Sequence, residues 1–369
     1  MISDITDKKH VLRKGFTTGT YVSAAAAAGV RYLSSGLIPN SEIVRLPCGD
    51  LVNINFTDVK TGKDWIKIKA IKDSGDDPDI TNGIEIVVET RYSSSSGIEI
   101  KAGKGVGVVT LPGLQVPVGK PAINPVPMKM IFENINKYIK PGNGYIITIS
   151  IPEGEKIAKK TFNPRLGIKG GLSILGTTGY VEPKSVDAIK KTIEISIDVV
   201  ASLGFINIVF VPGNIGENLC RNYFSIEKEK IIQFSNYIGH SLEYASKKNI
   251  KKILLCGHIG KLVKVAAGAK DTSSAVIDKR IETLSKIAKI CNYKELAYDI
   301  LKKCKTAENA ADIILRNKAF DVFSNLATIV SKEAEKMCDN KIFIRSAVFN
   351  YKGKLLGTDL KENEIDLWK

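Results

Sequence analysis

Along residues 186–200 the apolar positions Val186, Ile189, Ile193, Ile197 and Val200 recur in steps of 3, 4, 4 and 3. That spacing puts one apolar stripe on a helix. Ser185 offers its N-cap and Gly204 stands just past its end. The run Ile206–Val211 then reads as a buried strand and PGNIG as a loop, and Asn214 with Glu217 three residues on predicts a capping box for the next helix. The order recurs as a helix over Glu229–Lys247, a strand over Lys251–Cys256, the loop GHIG and a helix in KLVKVAAG. Further helices run to about Lys336, and Lys341–Asn350 closes as a strand. Upstream, Leu172–Leu175, Gly176–Gly179 and the helix after Ser185 repeat the same scheme of strand, glycine loop and helix. Residues 161–369 are therefore expected to form an α/β domain with a mainly parallel sheet and glycine loops at strand ends, where such folds bind ligands.

Residues 1–160 alternate differently and predict an α+β domain. Gly19–Leu33, carrying Ala24–Ala28, reads as an early helix with Thr17 or Thr18 as N-cap. Strand-like runs follow at Ile43–Leu46, Leu51–Phe56, Trp65–Ile71, Ile84–Glu89 and Ile98–Lys101, with Ser93–Ser96 as a hairpin-like break. Pro127–Ile139 reads as helix and Tyr145–Ile151 as strand.

Composition narrows the function more than the fold. A length of 369 residues suits two cores. No apolar run approaches the roughly 20 residues of a membrane span, and the N-terminal stretch lacks a signal-peptide pattern, so the cytoplasm is the expected compartment. The six cysteines are scattered without a C-x-x-C pair and are expected to be reduced and structural; three dispersed histidines predict no metal site. The net charge of +15 is carried by lysines spread along the chain with few aromatics, which argues against a nucleic-acid module and fits a small polyanionic ligand or a merely lysine-rich surface equally well.

Two motifs invite chemistry and do not sustain it. The glycines at 103, 105 and 107 are followed by Val108, Val109 and Leu111 in a continuing strand, whereas a dinucleotide loop must open a helix. DDPDIT (Asp76–Thr81) has three carboxylates but reads as a solvated turn. GHIGKLVKVAAGAKDTSSAVIDKR (Gly257–Arg280) is stronger. Lys261 and Lys264 share a helix face, and Thr272, Ser273 and Ser274 supply hydroxyls and free N–H groups where another helix is expected to begin, an arrangement that favours an anion. His258 lies in a glycine loop at a strand end. No nucleophile–base order stands out, so an enzyme built this way works by positioning its reactants.

Taken in order, LRKGFTTGTYVSAAAAA, VRLPCGD, DDPDITNG, AGKGVGVVTLPGLQVPVGKPAINPVP, GGLSILGTTGYVEPKS, VPGNIGE and GHIGKLVKVAAGAKDTSS resemble the cobalt-precorrin-5B C-1-methyltransferase family (CbiD) from about Leu12 to Glu282. The resemblance implies transfer of a methyl group from S-adenosylmethionine to C-1 of a cobalt-precorrin, giving cobalt-precorrin-6A, in the anaerobic route to cobalamin. Cobalt would enter only as part of the substrate. The geometry of the glycine loops then places the cofactor at Gly176, Thr177, Thr178, Gly179, Gly213, Asn214, Gly216, Gly257 and His258. The macrocycle would face Thr17, Thr18, Gly19 and Thr20 together with Lys261, Lys264, Thr272 and Ser274. No partner beyond the substrate is implied except a second copy or transient contact with other corrin-pathway enzymes. Asn82 and Ser273 depart from the family pattern, which often has histidine there. A non-catalytic tetrapyrrole carrier and a nucleotide or phosphometabolite transferase fit the residues as alternatives.

Overall fold

The computed structural model describes residues 12–182, 186–274 and 278–369. The chain forms two compact units, residues 1–185 and 186–369. The change of rhythm near residue 160 is thus not the boundary. Residues 165–182 complete the first unit: Ile168–Lys169 pairs antiparallel with Val108–Val109, Gly171–Leu172 parallel with Gly105–Val106, and Tyr180–Val181 antiparallel with Gly15–Phe16.

The first unit lays helix α1 (Thr18–Ser35) and helix α2 (Pro125–Asn136) around a five-stranded sheet. Its strands are β1 (Asp58–Thr61), β2 (Trp65–Ile71), β3 (Glu85–Ser93), β4 (Gly97–Ala102) and β5 (Gly144–Ser150), ordered 1-2-3-5-4. Period-two alternation sends Ile66, Ile68, Ile86, Val88, Ile147 and Ile149 inward, while Lys67 pairs with Glu89 and Lys69 with Glu85 on the outer face. Ala24–Ala28 are fully buried in α1, and a side chain at Gly29 would collide with Thr90, so small residues let this helix press onto the sheet. Ser93–Ser96 is not a hairpin turn, because β5 lies between β3 and β4, antiparallel to one and parallel to the other. The 103–107 glycines allow close backbone packing: a Cβ at Gly105, whose φ is +74°, would strike the carbonyl of Ile151. DDPDIT forms a turn held by hydrogen bonds. Asp79 accepts from Lys72 Nζ at 2.7 Å and from the Thr81 N–H at 2.8 Å, and Asn82 Oδ1 accepts from the Ser74 N–H at 2.9 Å.

The second unit is a mixed sheet with helices on both faces. Helix α3 (Val186–Ser202) leads to β6 (Asn207–Val211), α4 (Asn214–Phe224), β7 (Ile231–Gln233), α5 (Ile238–Ser246), β8 (Lys252–His258) and α6 (Ile259–Ala266). The Ser185 cap expected for α3 lies outside the described residues. Four helices (Arg280–Ile290, Lys294–Lys303, Ala307–Arg316 and Asp321–Met337) precede β9 (Phe343–Phe349) and β10 (Leu355–Thr358). The sheet order is 7-6-8-9-10, with the first three pairings parallel and the last antiparallel. Ile208, Phe210, Ile253 and Leu255 face one layer, and Val209, Val211, Leu254 and Cys256 the other, beneath α4 and Trp368. The single helix expected over Glu229–Lys247 is instead the edge strand β7 and a shorter helix, since Ile231 and Ile232 are buried beside β6. Cys220 on α4 and Cys256 on β8 stand sulfur to sulfur as a disulfide, against the expectation of six reduced thiols. Among the described residues no helix is long and apolar enough to cross a membrane.

Candidate functional site

In the second unit the strands, numbered by their place in the chain, lie in the order 2-1-3-4-5. The first strand, β6, feeds the edge strand β7, and the chain then returns to β8 on the other side of β6. Such a reversal opens a crevice at the carboxyl ends of the two central strands. Gly213 and His258, the residues that begin α4 and α6, therefore stand side by side at the crevice. The glycines there differ in role. A side chain at Gly257 would press on Pro212 and one at Gly216 on Val211 and the Cys256 carbonyl, so both serve packing of strand and helix. A side chain at Gly213 would meet nothing, because that position opens on free space.

The capping box expected from Asn214 and Glu217 does not form. Gly213 is the N-cap, without a side-chain cap, and Asn214 is already helical. Both side chains turn to the end of β7, where the Gln233 amide nitrogen donates to Asn214 Oδ1 at 2.8 Å and to Glu217 Oε2 at 2.7 Å. His258 is the last residue of β8 and the N-cap of α6, so GHIG is not a loop. Its Nδ1 accepts from the Gly260 N–H at 3.0 Å, and its Nε2 meets the Glu308 carboxylate. That pairing fixes the neutral tautomer with the proton on Nε2. Burial lowers the imidazole pKa against the pull of Glu308. The Tyr351 ring lies 3.6 Å from the His258 ring, centroid to centroid, and its N–H donates to Glu308 at 3.1 Å.

Beyond His258, α6 carries the lysines. Gly260, Lys261, Lys264, Thr272, Ser274, Asp278 and Arg280 line an open cavity of about 170 Å³. Lys261 Nζ donates to Asn236 Oδ1 at 2.5 Å and to the Thr272 carbonyl at 3.1 Å; Lys264 Nζ, on a residue only 6% exposed, donates to the Ser273 carbonyl at 2.6 Å. Every one of these acceptors is neutral. Among the described residues no carboxylate forms an ion pair with either lysine, whereas Asp278 is taken by Arg280 and held down to about 2 by that guanidinium. Burial and the neighbouring Lys264 charge push the Lys261 ammonium below the ordinary lysine range. Two close, partly desolvated cations with Asp271 and Asp278 nearby but no ion pair are costly to fold, and an arriving anion relieves that cost. Thr272–Ser274 does not open a helix, which begins only at Arg280; the Thr272 N–H bonds the Asn236 carbonyl and the Ser273 N–H bonds Asp271.

The remaining expected contacts belong to the first unit. Thr17 caps α1 through Thr20, Thr18 Oγ1 bonds the backbone of Leu175, Gly19 N–H donates to the Leu175 carbonyl at 2.9 Å, and Thr20 Oγ1 donates to the Gly179 carbonyl at 2.7 Å. A side chain at Gly176 would collide with Thr17 and one at Gly179 with Leu46, while Thr177 and Thr178 are exposed. The close approach made by GTTG is therefore to the start of α1, and the loop is not one of the strand-end loops of the parallel sheet. Asp278 and Arg280 lie within the candidate stretch Gly257–Arg280, whereas sequence reasoning missed Gln233, Asn236, Glu308 and Tyr351, each of which joins the site only through tertiary packing.

The CbiD family model matches residues 5–183, and the model of the CbiD C-terminal domain matches residues 271–359. A cobalt-precorrin-5B C(1)-methyltransferase from Moorella thermoacetica is 40% identical over 357 residues, covering 96% of this chain and 97% of its own. A protein of the same name from a Thermoanaerobacter species is 43% identical, covering 82% of each. The crystal structure of cobalamin biosynthesis protein (cbiD) from Archaeoglobus fulgidus is 32% identical over 71% of this chain and 82% of that one, with a TM-score of 0.39. The family matches over residues 5–183 and 271–359, with 40% identity to the Moorella thermoacetica protein across 96% of this chain, establish that the chain belongs to the CbiD family.

Proposed function

We propose that this enzyme transfers a methyl group from S-adenosylmethionine to C-1 of cobalt-precorrin-5B, giving cobalt-precorrin-6A in the anaerobic synthesis of cobalamin. The observation that carries the reading is the 40% identity, across 96% of this chain, with a relative named for that reaction. Cobalt enters as part of the substrate.

The geometry fits a reaction won by alignment. S-adenosylmethionine supplies an electrophilic methyl on its sulfonium, which needs an oriented acceptor carbon rather than an enzyme nucleophile. The crevice between β6 and β8 is the proposed cofactor seat: Gly213 leaves room at its mouth, Asn214 and Gln233 offer polar atoms, and His258 closes the far side. Lys261 and Lys264, with Thr272 and Ser274 beside them, hold a carboxylate arm of the macrocycle. The cavity is far too small for a tetrapyrrole but has room for one such arm. With Arg280 its three cations face one carboxylate, Asp278, a net charge of +2 that matches an acidic substituent. Thr17, Thr18 and Thr20 are assigned to the fold.

The test supplies methyl-labelled S-adenosylmethionine, without oxygen, to the protein and cobalt-precorrin-5B formed in place by upstream enzymes. One labelled methyl in the corrinoid, dependent on this protein, is the expected result. No label, with the precursor confirmed by mass, overturns the reading and leaves the carrier alternative.

A further inference from the structure

The donor seat has an acceptor atom whose direction the fold has already fixed. Gln233 is the last residue of β7, immediately beside the crevice, and its side chain is half-buried. A glutamine amide can present either oxygen or nitrogen to a ligand, and here that choice is removed. Glu217 is only 4% exposed, and its carboxylate accepts hydrogen bonds but cannot donate them. The nearer amide atom at 2.7 Å from it must therefore be the nitrogen. The second amide hydrogen goes to Asn214 Oδ1 at 2.8 Å. Both N–H bonds of Gln233 are spent on the protein, and among the described residues no hydrogen bond to Oε1 is made, which leaves it as an acceptor for a donor.

We propose that Gln233 Oε1 reads the ribose hydroxyls of the methyl donor, with Glu217 and Asn214 as the positioning residues that aim it. This rests on the cofactor seat proposed above and makes it specific. In doubly wound folds the end of the second strand, next to the glycine turn after the first, is the place that reaches a nucleoside ribose, and an acceptor is what its hydroxyls require. Gln233 stands 20 residues after Gly213. It gives a neutral acceptor instead of a carboxylate. A second full negative charge is disfavoured there, since the Glu217 carboxylate already lies in contact with the same side chain. The ligand class is a nucleoside with free 2′ and 3′ hydroxyls.

Calorimetric binding of S-adenosylhomocysteine, and of its 2′-deoxy and 3′-deoxy analogues, tests this in the full-length protein without turnover. The native protein is expected to bind at least one deoxy analogue about tenfold more weakly than the ribose form. Gln233→Met keeps the length of the side chain and removes the acceptor; it should weaken S-adenosylhomocysteine about tenfold and bind ribose and deoxy forms within about twofold of each other. Thermal unfolding of the variant verifies that it is folded. Discrimination that survives in folded Gln233→Met overturns the proposal, because another group then reads the diol. Equal binding of all three ligands by the native protein overturns it with no variant needed. If S-adenosylhomocysteine fails to bind the native protein at millimolar concentration, the cofactor seat itself fails and Gln233 falls with it, a result distinct from the other two.

Discussion

The start of α1 and helix α6 both carry clustered polar side chains and use them in opposite ways. α1 opens with three threonines beside the GTTG loop, and α6 carries Lys261 in its first turn and Lys264 in its last. At α1 every hydroxyl named above is spent on the chain itself: Thr17 on Thr20, Thr18 on Leu175 and Thr20 on Gly179. At α6 the bonds of Lys261 and Lys264 end on neutral oxygens, so their charge is solvated by dipoles but not cancelled. A polar group whose donors are all used is architecture. A cation held in the same way still lacks an ion pair, and that deficit is the ground on which the binding site is proposed there.

The largest effect expected from this contrast is on stability, at α1. Gly176→Val would place a branched side chain against Thr17 at a φ of +141°, costing about 3 kcal/mol from strain and overpacking together. Urea denaturation should show it as a lower midpoint with an unchanged slope. A midpoint within error of the native one would mean the loop yields freely, and the architectural reading of GTTG would be lost. At α6 the prediction inverts. Lys264→Met removes a nearly buried charge that has no ion partner, so the melting temperature should hold or rise. The KM for cobalt-precorrin-5B should meanwhile rise at least tenfold, the loss of about 1.4 kcal/mol or more from one charge-assisted contact. Loss of stability with an unchanged KM would reverse the assignment of the two regions.

The sequence showed the lysines but not why they matter. Lys261 and Lys264 share a face at i, i+3, and that alone is the pattern of any solvated helix. What distinguishes them is the absence of a carboxylate partner, a property of packing that no local spacing encodes. The same limit hid Gln233. Its strand is three residues long, inside a stretch whose periodicity reads as helix, and only the buried edge beside β6 makes Ile231 and Ile232 a strand. GTTG misled for a related reason. A glycine loop between a short apolar run and a helix has one appearance whether it flanks a parallel sheet or caps another helix, and the choice lies in pairings between residues 15–16, 105–109 and 168–181. By contrast α1, β2 and β5 were legible, because a run of buried alanines and strict alternation carry their own periods.

A smaller effect separates the regions by hydrogen bond rather than by charge. Thr20→Val keeps the shape of the side chain but leaves the buried Gly179 carbonyl without the Thr20 hydroxyl, at a cost of about 1–2 kcal/mol. The kcat and KM of the folded fraction should stay within about twofold of native. A KM shift without a stability loss would return Thr20 to the substrate site.

The smallest effect is in pH: stability rises with pH in both units, across an acid window in one and an alkaline window in the other. In the first unit Arg13 holds the Asp73 carboxyl down to about 2, so this exposed pair contributes above the ordinary aspartate range and its contribution is lost as pH falls toward 2. In the second unit burial lowers Lys261, so between its folded and unfolded pKa the unfolded chain carries more protons than the folded one. Stability of the free protein therefore gains with rising pH across that alkaline window. Carboxylate binding moves the other way, because the anion needs the ammonium that is being lost. Urea midpoints and binding constants measured through the same alkaline range should diverge in the native protein. In Lys261→Met both trends should flatten, since neither the proton nor the counter-charge remains. If native stability and binding fell together with rising pH, Lys261 would have a carboxylate partner in the fold, and the contrast between α1 and α6 would no longer identify the site.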